Sequence, residues 1–319
     1  MVLTPQIVTI EILNLIFVVF ATVSFVVSLN IVFRYDPNLS NKLQYKLQKQ
    51  SYLIATIVKF IFYLKLPLFI FFIFTLDTLS TILPGAMCGA GVVNATDYGV
   101  ALLMLKLLNL YIFGYWIVLN AQDMKDENQR YMRLKFMIFI AAYFLLMTEI
   151  FLETMMFFSL DVKSVVDCCG AIFSTTDASY MAYILTLPSG VLLGAFYGSF
   201  IFMLGSYLAK NKYLFSFFNL VFLIAALISL IAFFGTYIYE QPTHHCPFCI
   251  LQADYHYIGY LLYVLLFVGT FYGIILAFVP FDSLQEKKSY ITSLLVNFLY
   301  TVVVSYFPLI YYFKNGVWL

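Results

Sequence analysis

Apolar positions in this chain neither alternate nor form a stripe; they run on. Stretches of about 20 apolar residues recur along its whole length, each long enough to cross ~30 Å of hydrocarbon as a helix. Eight are legible, at roughly 8–33, 52–78, 99–120, 135–158, 180–208, 213–238, 257–280 and 289–313. The polar positions collect in the connectors between them. This pattern predicts an all-α, polytopic integral membrane protein that forms one transmembrane domain over residues 1–319, with lipid as its surroundings. The first run contains Glu11 but no basic stretch before it and no small-residue cleavage site after a short apolar core, so it reads as a retained span. The second is interrupted by Lys59, Lys65 and Pro67. An amphipathic helix on the membrane surface from about 40 to 64, followed by a shorter span, is the alternative there. Lys59 and Lys65 are expected to snorkel towards the interface.

Composition sharpens the class. Of 319 residues 63% are hydrophobic and 10% charged, and the mean hydropathy is +0.94, beyond the range of soluble domains. A net charge of +1 gives no support to nucleic-acid binding. The connectors 34–51, 121–135, 209–212 and 281–288 hold twelve of the seventeen Lys and Arg. The positive-inside bias places these connectors in the cytoplasm, with both termini and the other three loops outside.

Four charged positions fall in or near the apolar runs: Asp77, Lys106, Glu149 and Glu153. An unpaired charge is costly there and faces a partner or a cavity. Lys106 and Glu149 each lie about nine residues inward from the outer end of their spans, so the rise of a helix lets them meet at one depth. Glu153 stands one turn above Glu149 on the same face. The set reads either as a neutralised pair fixing helix packing or as a polar floor serving a proton path.

All five cysteines, Cys88, Cys168, Cys169, Cys246 and Cys249, fall in outer loops or in the first turn after them. That side of a bacterial inner or plasma membrane faces an oxidising compartment. The loops resemble one another: Met87-Cys88-Gly89-Ala90, Cys168-Cys169-Gly170-Ala171 and Cys246-Pro247-Phe248-Cys249, each reaching an aspartate (Asp97, Asp177, Asp254) before the next span. Cys88 to Cys169 is 81 residues and Cys169 to Cys249 is 80. Phe113-Gly114-Tyr115, Phe196-Tyr197-Gly198 and Phe271-Tyr272-Gly273 recur farther down. A period of about 80 residues predicts three repeated helical hairpins, 52–120, 135–208 and 213–280, flanked by the spans 8–33 and 289–313. The blander reading makes the three aspartates helix N-caps. Tyr255, Tyr257 and Tyr260 sit at interfacial depth, where tyrosine is common anyway, and Met155 and Met156 read as packing residues.

The densest chemistry lies in one stretch. His244-His245-Cys246-Pro247-Phe248-Cys249, with His256 seven residues on, brings two thiols at C-x-x-C spacing beside three imidazoles. Such a pair can close a disulfide, hold a metal or lower one thiol's pKa. The apolar run that follows predicts a helix N-terminus under the pair, which favours thiolate. In a thiol–disulfide mechanism Cys246 attacks, Cys249 resolves, and Cys88, Cys168 or Cys169 supply a second pair. His244, His245 or His256 steadies the thiolate or moves its proton.

Cys246-Pro247-Phe248-Cys249-Ile250-Leu251-Gln252 resembles the C-x-x-C-I-x-Q opening of the DsbB-type quinone-linked disulfide oxidoreductases. The resemblance covers seven residues; the basic residue that follows in that family is Ala253 here, and the motif precedes the seventh span instead of following the first. It implies a second cysteine pair, a bound quinone and a periplasmic thioredoxin-like partner. Copper or zinc is the competing chemistry, held by His244, His245, Cys246 and Cys249 or, for Cu(I), in a trigonal site of thiolates from the three hairpins, with a metallochaperone as the partner. A third class is a non-catalytic subunit of a larger membrane complex whose cysteines staple the outer loops. Haem attachment is excluded by Ile250 after Cys249, and no motif for hydrolysis or phosphoryl transfer is present.

Overall fold

A computed structural model describes residues 4–36, 41–126, 129–166, 183 and 185–319. Among these residues the chain is helical throughout, with no strand. The helices are α1 (Pro5–Arg34), α2 (Lys42–Ser80), the short α3 (Gly89–Asn94), α4 (Gly99–Asp123), α5 (Met132–Ser159), α6 (Ser189–Leu208), α7 (Lys212–Tyr239), α8 (Ile258–Ala277) and α9 (Ser283–Asn315). All but α3 are long and apolar enough to cross a membrane, which makes the chain an integral membrane protein. Their outward faces agree: Leu15, Phe60, Phe151, Ile201 and Leu295 are 60–66% exposed, positions that a water-soluble bundle fills with polar side chains.

Three readings of the sequence change. α2 is one continuous helix of 39 residues across Pro67, not a surface helix followed by a shorter span. Lys65 does not snorkel; it is buried and paired, whereas Lys59 is exposed against the Tyr63 ring. Asp97 and Asp254 do not cap the following helices. The N-caps of α4 and α8 are Tyr98 and Tyr257, neither with a side-chain cap bond, and Asp177 lies outside the described residues.

The chain divides into two compact units, Met1–Pro84 with Val92–Val165, and Gly85–Gly91 with Val166–Leu319. The first holds α1, α2, α4 and α5. Its aromatic centre is Phe62 stacked on Phe113 at 4.2 Å, with Trp116 edge-on and Phe139 beside it. Its polar centre is Glu149, which accepts from Lys65 Nζ (3.1 Å), Lys106 Nζ (2.9 Å) and Asn109 Nδ2 (2.6 Å). Lys106 also pairs with Glu153 at 2.8 Å, and Asn14 bridges Glu153 and Lys65 at 2.9 and 3.1 Å. One side-chain cluster thus ties all four helices. Towards the connector end Lys135, assigned to a loop by its sequence position, is buried in a 2.7 Å pair with Asp123.

The second unit holds α6 to α9 and closes its core with neutral groups instead. Asn219 Oδ1 on α7 accepts from Ser293 Oγ and Asn297 Nδ2 on α9, both at 3.0 Å. Ser293 also donates to Gly269 O at 2.7 Å, and Ser216 to Gly273 O at 2.8 Å. The two glycines of α8 let those amides reach its backbone: a Cβ at Gly269 would stand 2.1 Å from Asn297 Oδ1, and one at Gly273 would stand 2.1 Å from Asn219 Cγ. Gly273→Leu is expected to displace Asn219 and lower stability by about 1–3 kcal/mol. Gly198→Ala, where a Cβ meets nothing within 4 Å, is expected to leave it unchanged. Thermal unfolding in detergent measures both.

Candidate functional site

The site lies in the second unit, in the stretch between α7 and α8 and the turn that carries Cys88. α7 is not a uniform helix. Residues Leu230–Phe234 form a π turn, closed by Gly235 N–H to Leu230 O, and the chain leaves the helix through Glu240 in the left-handed region at φ 52°. A π turn widens the hydrogen-bonded ring and leaves carbonyls for outside donors. His245 Nδ1 lies 3.1 Å from Ile231 O and fills that place.

Beyond His245 the backbone is irregular, and two tyrosines hold it. Tyr239 Oη donates to Cys246 O and accepts from Ile250 N–H at 3.1 Å, so one hydroxyl closes the Cys246–Ile250 turn. Tyr263 Oη donates to Pro247 O at 2.8 Å. Gln252 Nε2 donates to Met87 O at 3.0 Å, which fastens the Cys88 turn to the same loop. The helix N-terminus expected beneath the cysteine pair is absent. Cys249–Leu251 and Ala253–Tyr255 are single 3-10 turns, His256 and Tyr257 are left-handed at φ 54° and 56°, and α8 starts only at Ile258. Extended Gln252 and the two left-handed residues break the helical path between the cysteine pair and α8.

The loop gathers sulfur. Cys88, Cys246 and Cys249 place their Sγ atoms within 4.8 Å of one another, and Cys88 Sγ and Cys246 Sγ are 3.5 Å apart. All three are at most 5% exposed and belong to the core with Phe196, Phe222, Phe234 and Leu262. Cys168 and Cys169 lie outside the described residues. No histidine joins the three sulfurs at that spacing among the described residues. His244 comes nearest in character: its ring packs on Tyr239 at 4.2 Å and its Nε2 is buried with no hydrogen-bond partner among the described residues. Burial holds His244 below the ordinary histidine range, against a smaller opposing pull from Cys88. His256 is exposed.

Two roles went unread in the sequence. Tyr239 holds Cys246 O and Tyr263 holds Pro247 O, and no spacing rule separates these two tyrosines from packing residues. The interfacial tyrosines carry less: Tyr255 packs edge-on to Tyr239 at 4.7 Å, and burial, with Cys249 and Asp254 nearby, pushes its hydroxyl above the ordinary range. Of the residues expected to form a polar floor, Lys106, Glu149 and Glu153 do meet. Asp77 stands twelve residues beyond Lys65 on α2, about 18 Å along the axis.

Tyr239→Phe is expected to leave Cys246 O and Ile250 N–H without their shared partner, at a cost of about 1–3 kcal/mol. The loosened turn then admits solvent, so alkylation of Cys246 and Cys249 by a maleimide in native membranes should accelerate, whereas His256→Ala should leave the rate unchanged. No protein-family model, curated protein or solved structure matches the chain, so the chemistry of this site is argued from its own atoms.

Proposed function

We propose that the chain is a metal-handling membrane protein that binds one soft ion, Cu(I), through Cys88, Cys246 and Cys249. The single observation that carries this is the mutual approach of three buried sulfurs within 4.8 Å. Three sulfurs each about 2.3 Å from a common centre, the length of a zinc–thiolate bond, stand about 4 Å apart in a trigonal arrangement. Thiolates select Cu(I), zinc or iron–sulfur clusters, and three sulfurs with no fourth member at the same spacing among the described residues match a trigonal Cu(I) set. His244, whose buried Nε2 has no hydrogen-bond partner among the described residues, is the candidate for a fourth position. His245 is already engaged with Ile231 O and serves the loop, so the ligand set differs from the His–His–Cys–Cys run of the sequence.

A second reading has its own observation in the 3.5 Å separation of Cys88 and Cys246 Sγ. A movement of about 1.5 Å brings them to bonding distance. Closing that bond releases two electrons and two protons, which a quinone takes up to become a quinol. The disulfide then oxidises a dithiol in a thioredoxin-like partner, as the resemblance to the DsbB-type enzymes implies. Burial disfavours it, because a partner's thiolate must reach a sulfur at most 5% exposed.

The finer architecture belongs to the same proposal. The spacing of about 80 residues between cysteine loops supports hairpins 52–120, 135–208 and 213–280 as repeats, with the basic connectors cytoplasmic, the cysteine loops and both termini outside, and a bacterial inner or plasma membrane as the location.

Purified, reduced full-length protein titrated with Cu(I) under anaerobic conditions is expected to bind one ion per chain with a sulfur-dominated X-ray absorption spectrum. Cys88→Ser, Cys246→Ser and Cys249→Ser should each abolish it, while His256→Ala retains it. Binding that survives all three cysteine variants refutes the metal site. A Cys88–Cys246 disulfide that forms on adding a soluble quinone, with matching quinol release and no bound copper, establishes the redox reading instead.

A further inference from the structure

The first unit holds a second centre that the sulfur chemistry does not use. Among the described residues, three carboxyl groups, Glu11 on α1 and Glu149 and Glu153 on α5, share one buried neighbourhood with two ammonium groups, Lys65 on α2 and Lys106 on α4. With every group charged the set carries one excess negative charge, in a place where hydrocarbon makes an uncompensated charge expensive. Glu149 and Glu153 are 3% and 0% exposed, and each is matched by a lysine. Glu11 is not so matched. Its Oε2 accepts from Thr154 Oγ1 at 2.9 Å, next to Glu153 on α5, and its Oε1 is buried with no hydrogen-bond partner among the described residues.

A small cavity adjoins the same charges. It has room for about one water, at about 10 Å³, and is lined by Lys65, Lys106, Asn109 and Glu149. Asn109 is 1% exposed, and its Oδ1 is a second buried acceptor with no partner among the described residues. The space is large enough for a single water able to accept from a lysine and donate to Asn109 Oδ1.

We propose that this cluster is a reversible proton-binding site: one proton resides on the Glu11 carboxyl and neutralises the excess charge of the Glu11–Glu149–Glu153–Lys65–Lys106 set. The geometry gives each member a distinct part. Lys65 and Lys106 pair with Glu149 and Glu153, and Asn14 and Asn109 donate to those carboxylates and fix their orientations. Glu11, at the edge of the cluster and only half-buried, is the one carboxyl positioned to exchange its proton without dismantling an ion pair. Uptake and release change the net charge within the membrane by one, as a step of proton-coupled transport requires. This proposal does not depend on the identity of the sulfur site.

Dicyclohexylcarbodiimide, an apolar reagent that adds only to protonated carboxyl groups, tests it on the full chain in lipid vesicles. Mass mapping of the unaltered protein is expected to find the adduct on Glu11, with labelling that falls away as the pH is raised. Glu11→Gln should abolish the label, and Glu11→Asp should restore it. No adduct on Glu11 at any pH overturns the proposal, as does an adduct found on Glu149 or Glu153 instead. Protection of Glu11 by sodium at constant pH also overturns it, because an alkali cation and not a proton then fills the site. The mapping needs no variant, so a substitution that fails to fold leaves the result intact.

Discussion

A polar group inside hydrocarbon has only the protein to satisfy it, and each failure costs several kcal/mol. Glu149 shows how far this constraint organises the first unit. Three donors from three positions on two other helices converge on its two oxygens, and removing one partner of such a buried pair costs about 3–5 kcal/mol. The helices bearing those groups therefore have one register and one rotation, set by a few atoms and not by their uniformly greasy surfaces. The second unit answers the same constraint with neutral groups. Asn219, Ser293 and Asn297 need close backbone approach, so α8 carries glycine where α7 and α9 reach it. Charges act over longer distances and tolerate bulky neighbours; amides do not.

The loop between α7 and α8 meets the demand at its most difficult point, because its backbone is neither helix nor sheet. Tyr239, Tyr263, Gln252 and His245 supply hydrogen bonds that regular structure would have provided. Sulfur escapes the demand. A thiol donates and accepts weakly and packs as a small hydrophobe, so three cysteines can join an aromatic core at little cost in unmade hydrogen bonds. The polar residues are committed to holding the loop, and the sulfurs are left facing one another. That division of labour makes the cluster suited to an incoming ion or to a bond between its own members.

The eight spans were legible because length and hydropathy are one-dimensional properties, which a linear string carries in full. The meeting of Lys106 with Glu149 and Glu153 was legible for a similar reason, since depth along a helix can be counted. Rotation cannot be counted in helices whose apolar residues form no single stripe, and Lys65 was misread on that account. A snorkelling lysine and a buried one have the same sequence; only the presence of Glu149 and Asn14 across the interface separates them. The C-x-x-C run announced chemistry but not its third sulfur. Cys88 and Cys246 are 158 residues apart, and no local rule joins them. The absent helix N-terminus was invisible for another reason. Nothing in the residue types of His256 and Tyr257 demands the left-handed backbone that delays α8, as a glycine would.

The π turn of α7 links these observations. Opening the hydrogen-bonded ring at Leu230–Phe234 by one residue advances everything after it by about 100° around the axis relative to an unbroken α-helix. Tyr239 lies five residues past that turn, so its hydroxyl points at Cys246 O and Ile250 N–H because of the inserted residue. The same insertion presents Ile231 O to His245, which fixes the start of the loop just before Cys246. A regular α7 would turn Tyr239 away by more than a quarter of a circle and would leave His245 without its anchor, and the loop that gathers the sulfurs would lose both ends at once. Local irregularity in a spanning helix is thus what the site is built on, and the cost of the wider ring is offset by the two side chains it brings into place.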